Sequence, residues 1–336
     1  MTYRVEGRFT RRYSPFRGFT GFAVRGLFGY ALRRLICVRP DLARCADCEY
    51  YGKCVYSRMV EATPDVRPGA KIARRGAAAG VTKPYTVTPL SVRGLSLSFS
   101  VNLFGMEAIS SEPLLVLVLL SMGRYGLGLD PAAGERRRFV VHKITASRPR
   151  EGVERVVYTF EDGYIYARPS QYYSSILEPF EYSARRIVGE APSRILLSFR
   201  TPVRLVRNGR PLREIPMDAV VMSVARKYSM LCEYFGVGEP LSAEEAKALR
   251  DAVRSGFRLA SCRYRVVRLH RHRLGSGEVQ QLGEFVVGEY VYSVRRSFWR
   301  SPEAELAVEL LLLGKYTHVG KFASAGCGRY DVYWSA

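Results

Sequence analysis

Two periods of apolar spacing run along this chain, and they recur in the same order in each half. Residues 3–8 alternate, with Tyr3 and Val5 set against Arg4 and Glu6, which predicts a strand buried on one face. From residue 21 the spacing changes to threes and fours: Val24, Leu27, Phe28, Ala31, Leu32 and Leu35 form one stripe, so a helix is predicted over 21–37. Arg25, Tyr30, Arg33 and Arg34 fall on or beside its opposite face. Strands are predicted over 85–89 and 96–104, a helix over 111–121, a turn at Gly123, Gly126 and Gly128, and a strand over 137–144. The second half reads as a strand over 195–206, a helix over 218–235 stopped by Gly236, and strands over 264–269 and 285–293. A helix over 302–313 stopped by Gly314 and a strand over 329–334 complete it.

Each half is therefore strand, helix, strand, strand, helix, strand, the order of a ferredoxin-like domain. The fold class expected is α+β, with two tandem ferredoxin-like domains at 1–150 and 191–336 and a hairpin and connector at 151–190. The hairpin is predicted from 156–160 and 164–167 around Glu161-Asp162-Gly163. Ser301-Pro302 reads as an N-cap followed by a proline in the first helical turn, and Ser242 with Glu245 has the spacing of a capping box that opens a further helix. Residues 66–83, rich in Gly, Ala and basic side chains, read as a mobile surface loop.

Charge narrows the function. Fifty-two Lys and Arg against 31 Asp and Glu leave a formal charge of +21, the mark of a chain that neutralises phosphates. The longest aliphatic run, 114–120, falls far short of the ~20 residues a membrane span requires, and no apolar leader follows Met1, so a soluble, cytoplasmic protein is expected. Twenty-two tyrosines interleaved with arginines offer both core mass and surfaces on which bases stack.

The strongest local pattern is the glycine-rich loop at 314–328. Glycines at 320, 326 and 328 let a backbone approach phosphate, while Lys315, Lys321 and Arg329 supply charge. His318, one of four histidines, is the first candidate for proton transfer, because imidazole titrates near neutral pH. Lys321 is expected to offset charge on a pentavalent phosphate and Tyr30 to orient a hydroxyl. Arg25 and Arg33 are candidate contacts to RNA, as is the run Arg268, His270, Arg271, His272 and Arg273, read as a strand face or hairpin tip that grips RNA. His142 reads as structural.

Four of the seven cysteines, Cys37, Cys45, Cys48 and Cys54, lie within 18 residues and form a knuckle after the first helix. Four thiolates at this spacing suit one metal ion, with zinc leading, an iron–sulfur cluster as the alternative and paired disulfides as the non-metal reading. Cys232, Cys262 and Cys327 read as packing residues.

The run Arg25-Gly26-Leu27-Phe28-Gly29-Tyr30-Ala31-Leu32-Arg33-Arg34-Leu35 into Cys37, the segment Leu103-Phe104-Gly105, and Met122-Gly123-Arg124-Tyr125-Gly126-Leu127-Gly128 carry a resemblance. So do Phe199-Arg200-Thr201-Pro202-Val203-Arg204-Leu205 and the end of the chain from Thr317 to Tyr330. In this order they resemble the CRISPR-associated endoribonucleases that cut precursor CRISPR RNA within its repeats, a branch of the RAMP superfamily. The resemblance implies ferredoxin-like domains of RAMP type and metal-independent cleavage, in which a ribose 2′-hydroxyl attacks its own phosphate to leave a 2′,3′-cyclic phosphate. It implies repeat RNA or processed CRISPR RNA, and subunits of a CRISPR effector complex, as partners, with no catalytic cofactor. The first helix has no histidine, where some relatives place theirs. A non-catalytic RAMP subunit that binds guide RNA is the second reading. A metal-dependent nuclease is disfavoured by the lack of a compact Asp/Glu motif.

Overall fold

A computed structural model describes residues 1–61, 81–105, 112–149, 154–166, 174–272 and 278–335. The described residues divide into two compact units, the first ending at Tyr166 and the second beginning at Ser174.

The first unit contains β1 (Thr2–Phe9), α1 (Gly21–Ile36), β2 (Tyr85–Val87), β3 (Ser91–Arg93), β4 (Ser96–Leu103) and α2 (Glu112–Tyr125). It continues with β5 (Leu127–Asp130), β6 (Glu135–Arg137), β7 (Phe139–Ser147) and β8 (Glu154–Thr159). Its antiparallel sheet runs β2-β4-β1-β7-β8, the ferredoxin-like order with β8 added at one edge. The strand predicted over 85–89 ends at Val87, and an unpredicted short strand, β3, follows Pro89, which has no N–H to give; β2 and β3 both pair with β4. The core joins Tyr3 and Val5 of β1, the α1 stripe from Val24 to Leu32, and Leu115, Val116, Val118 and Leu119 of α2. Leu35, placed on that stripe by spacing, is exposed in the last turn of α1. The predicted hairpin reduces to β8 and a single bridge from Tyr158 to Ile165. Most of the predicted loop at 66–83 lies outside the described residues.

The second unit contains α3 (Glu178–Glu190), β9 (Arg194–Phe199), β10 (Val206–Arg207), β11 (Arg210–Pro211) and α4 (Met217–Phe235). It continues with α5 (Ala243–Gly256), β12 (Phe257–His272), β13 (Val279–Val294), α6 (Ala304–Thr317) and β14 (Tyr330–Ser335). The sheet order β12-β13-β9-β14 is again ferredoxin-like. The capping box of α5 forms as expected: Ser242 Oγ accepts from Glu245 N at 3.1 Å and Glu245 Oε2 from Ser242 N at 2.8 Å.

Several boundaries differ from the pattern. The strand predicted over 195–206 stops at Phe199, and only Val203 bridges back to Val286. The predicted connector contains a full helix, α3, entered through Pro179 and burying Phe180, Ala184 and Ile187. The last helix begins at Ala304 rather than Pro302, with no side-chain cap, and it runs through Gly314 to Thr317. Gly314 is there for room: a Cβ on it would run into the Tyr330 hydroxyl, which donates to Leu311 O at 2.6 Å. Tyr290 and Tyr292 are satisfied in the same way, donating to Arg213 O at 2.7 Å and to Ile215 O at 2.6 Å.

Candidate nucleic-acid interface

The glycine-rich loop leaves α6 by a backbone that only glycine adopts easily. His318 has φ 56 and ψ 172, a region essentially reserved for glycine, which costs on the order of 1–3 kcal/mol for any other residue. Neighbouring bonds hold it there. Lys227 of α4, buried in the unit, donates from Nζ to His318 O at 2.6 Å and to Thr317 O at 3.4 Å. The His318 ring is fully buried with Nδ1 3.2 Å from Ala323 O, an arrangement that keeps the proton on Nδ1 and leaves Nε2 with no hydrogen-bond partner among the described residues. Burial drives the His318 pKa down to about 3 and the Lys227 pKa down to about 7.

The expectation that His318 moves protons at neutral pH is corrected by this environment. The imidazole is neutral and sealed from solvent, and it serves to build the loop. The open glycine cradle is corrected as well. The amides of Gly320, Gly326 and Gly328 donate to Ser223 Oγ at 3.0 Å, Ala323 O at 2.9 Å and Pro202 O at 2.9 Å, so none is free for phosphate. Gly328 has φ 75, and a Cβ there would collide with Val319 O, whose own N–H donates to Gly328 O at 3.0 Å. The loop is packed backbone against backbone, with the side chains of Lys321 and Arg329 left exposed on it. Lys321 N donates to Arg204 O at 3.0 Å and Arg329 N to Thr201 Oγ1 at 2.8 Å, so both cations project from fixed backbone. Lys315, in the last turn of α6, is half-buried.

A second basic surface lies on β12, the edge strand of the same sheet. Arg258, Arg263, Arg265, Arg268 and His270 are exposed along it, while Leu269 is buried between the last two. The strands β12 and β13 pair far beyond the residues that β9 covers, forming a long hairpin in place of the short predicted strands. Leu282 is the extra residue of a bulge opposite Leu269 and His270, and Arg204 Nη1 takes up its carbonyl. Arg268 Nη2 lies 3.6 Å from Glu284, and Arg271 Nε donates to Gln280 Oε1 at 2.8 Å. His272 ends the strand opposite Val279; Arg273 falls outside the described residues.

The α1 candidates belong to the first unit. Tyr30 is 41% exposed, with its ring edge-on to Tyr125 at 5.1 Å and under the Arg136 guanidinium at 5.9 Å. Arg33 is not a free surface cation, since its Nη2 donates to Leu42 O at 2.6 Å and ties the cysteine segment to the helix. Arg25 is half-buried beside Tyr85 and Lys83, where it adds to the burial that lowers the Lys83 pKa to about 8.

The cysteine expectation does not fit the side chains as folded. All four thiols are free, and among the described residues no three His, Cys, Asp or Glu side chains gather closely enough to hold a metal. Cys45 and Cys48 bracket a single 3-10 turn, and Cys54 Sγ turns back to Ser57, 3.3 Å from Oγ and 3.4 Å from N. Burial raises the Cys45 pKa, with Glu61, Cys54 and Cys37 adding to the effect. Cys232 and Cys327 are buried packing residues and Cys262 is half-buried.

Two signals in the sequence were missed. Lys227 sits on the apolar stripe Val220, Val224, Leu231 at helical spacing, so a charged residue was heading into a core. Leu177, just before α3, shares one helical face with Phe180, Ala184 and Ile187.

The family profile described as CRISPR-associated endoribonuclease Cas6 matches residues 197–330, from β9 through the glycine loop. Over that stretch the chain is similar to the Cas6 family. Residues 1–170 match a second profile, the N-terminal domain AF_1859_N. A Thermus thermophilus Cas6 in a product complex superposes on the chain with TM-score 0.54 at 16% identity, covering 99% of this chain and 100% of that one. A Cas6-containing chain of a partial Cas6-RT-Cas1–Cas2 complex gives TM-score 0.55 at 12% identity, covering 99% of this chain and 46% of that one. At these identities the likeness bears on the fold, and it agrees with the ferredoxin-like sheets above. No curated protein matches the chain in sequence. Among the described residues, no helix is long and apolar enough to cross a membrane.

Proposed function

We propose that this chain is a Cas6-type endoribonuclease that cuts precursor CRISPR RNA within its repeats without a metal. The observation that carries the reading is the family match over the unit whose tied loop presents Lys321 and Arg329. The chemistry is an internal transesterification: the ribose 2′-oxygen bonds to its adjacent phosphorus, the bond to the 5′-oxygen breaks, and the proton passes through solvent to the leaving oxygen. A 2′,3′-cyclic phosphate and a free 5′-hydroxyl result. With His318 buried, rate enhancement falls to in-line positioning and to cations that neutralise the developing charge, Lys321 first. The edge strand β12, with Arg268, His270 and Arg271, grips the RNA backbone. Tyr30 is a separate candidate, tested alone by Tyr30→Phe.

The burial of His318 also favours a second reading, a RAMP-type subunit that holds guide RNA and does not cut it. One experiment separates them. In chelator, the protein is incubated with repeat RNA carrying either a ribose or a 2′-deoxyribose at the scissile position. Cleavage of the first alone, with a cyclic phosphate on the product, supports the enzyme. Tight binding without cleavage of either replaces it with the binding subunit, and cleavage of both sinks the 2′-hydroxyl mechanism. No metal enters this reading at the cysteine knuckle; elemental analysis finding about one zinc per chain, or iron with sulfide, would reinstate the four-thiolate site.

A further inference from the structure

We propose that Lys227 is a positioning residue for RNA binding: from inside the second unit it clamps the carbonyls of Thr317 and His318 and so fixes the loop from which Lys321 and Arg329 project. The inference rests on the RNA-processing reading above, but its first observable does not.

The argument begins at the end of α6. The last carbonyls of a helix have no partner within it, and here two of them turn inward, where water cannot serve them. Lys227 Nζ meets both, at 3.4 and 2.6 Å. That clamp holds His318 in its positive-φ conformation at φ 56 and ψ 172. The next three amides are spoken for in turn: Val319 N by Gly328 O at 3.0 Å, Gly320 N by Ser223 Oγ at 3.0 Å, and Lys321 N by Arg204 O at 3.0 Å. Ser223 and Lys227 lie one turn apart on α4, so a single helix holds the loop at two points. Lys227 cannot touch RNA, because it is buried. Its side chain can reach the ligand only through the loop.

A buried lysine that affects phosphate contacts makes a test that packing alone does not satisfy. Hydrogen exchange at the amides of Val319, Gly320 and Lys321 should quicken in Lys227→Met while exchange in β9 stays unchanged. Binding of repeat RNA is then measured across salt. Loss of one phosphate contact to a single strand lowers the slope of log K against log salt by about 0.7 and weakens binding about fourfold at 0.15 M. Lys321→Ala should show that change. Lys227→Met should show at least as much, and adding Lys321→Ala to it should cost nothing further. If Lys227→Met does not fold, Lys227→Gln, which keeps a polar tip without the charge, takes its place in every arm.

Unchanged exchange in the loop overturns the clamp. Quickened exchange with a wild-type salt slope, or a full further loss from Lys321→Ala in the double variant, overturns the positioning role. Failure of the wild-type protein to bind repeat RNA is a separate result: it refutes the RNA reading and the positioning role with it, while the exchange arm still decides the clamp.

Discussion

Burial takes His318 out of acid–base chemistry near neutral pH and turns it into a stability element with a definite pH signature. Its pKa in the fold is about 3, against about 6.5 for an unperturbed histidine. As pH falls below ~6.5 the unfolded chain binds a proton at this position and the folded chain does not, so the folded state loses stability, by up to ~1.4 kcal/mol per pH unit from this group. His318→Gln should remove that part of the acid sensitivity. Urea unfolding of both proteins at pH 7.5 and pH 5 checks it: the wild-type protein should lose more between the two than the variant. Equal losses would mean that His318 protonates in the fold and is accessible after all. Glu309 of α6 works in the opposite direction. Burial, assisted by Glu181 and Glu305, raises its pKa to about 7, so its cost is absent at acid pH and grows as pH rises from its ordinary value through 7. Glu309→Gln should therefore raise the melting temperature at pH 8 and leave it nearly unchanged at pH 4.5.

Among the elements, glycine has two different jobs, and substitution by alanine tells them apart. In α6, Gly314 lets the Tyr330 hydroxyl and Val224 sit against the helix backbone. Gly314→Ala should cost about 1–3 kcal/mol by overpacking, read as a lower urea midpoint. In α1, a Cβ on Gly26 would meet nothing within 4 Å, so Gly26→Ala should stabilise by about 0.5–1 kcal/mol through helix propensity alone. A matching loss at both positions would show that α1 packs more tightly around Gly26 than its open space indicates. The same logic explains why the pattern stopped α6 too early. A glycine in a helical run reads as an end, and whether it is an end or a point of close approach depends on what the fold brings beside it.

For the whole molecule, the excess of 21 positive charges sets the expected energetics of RNA binding. Affinity for a repeat RNA should fall linearly with the logarithm of salt, because bound phosphates release counterions. Arg271→Ala on the β12 hairpin should lower the slope by about 0.7, the single-strand value for one contact, and leave cleavage at saturating protein mostly intact. A salt-independent binding constant would sink the electrostatic account. An unchanged slope in Arg271→Ala would return that arginine to its bond with Gln280 as a purely structural side chain.

Most of the element order, and with it the two ferredoxin-like sheets, was legible in the sequence, although α3 and β3 were not. Alternation in 3–8, the three-and-four stripe from Val24 to Leu32, and the Ser242–Glu245 capping box are local patterns, each readable within a turn or a strand. Charge and the terminal glycine motif pointed to a phosphate ligand for the same reason. Tertiary structure alone decided which of these residues face solvent. His318 and Lys321 are three residues apart in one basic, glycine-rich stretch, yet one is sealed in the core and the other is exposed. The difference comes from Lys227, Ser223 and Arg204, about 90 to 120 residues earlier in the chain, whose bonds to the loop fix its backbone. The cysteines teach the same lesson, since spacing brings four thiols near one another in sequence while convergence on a metal requires directions that only the folded backbone sets.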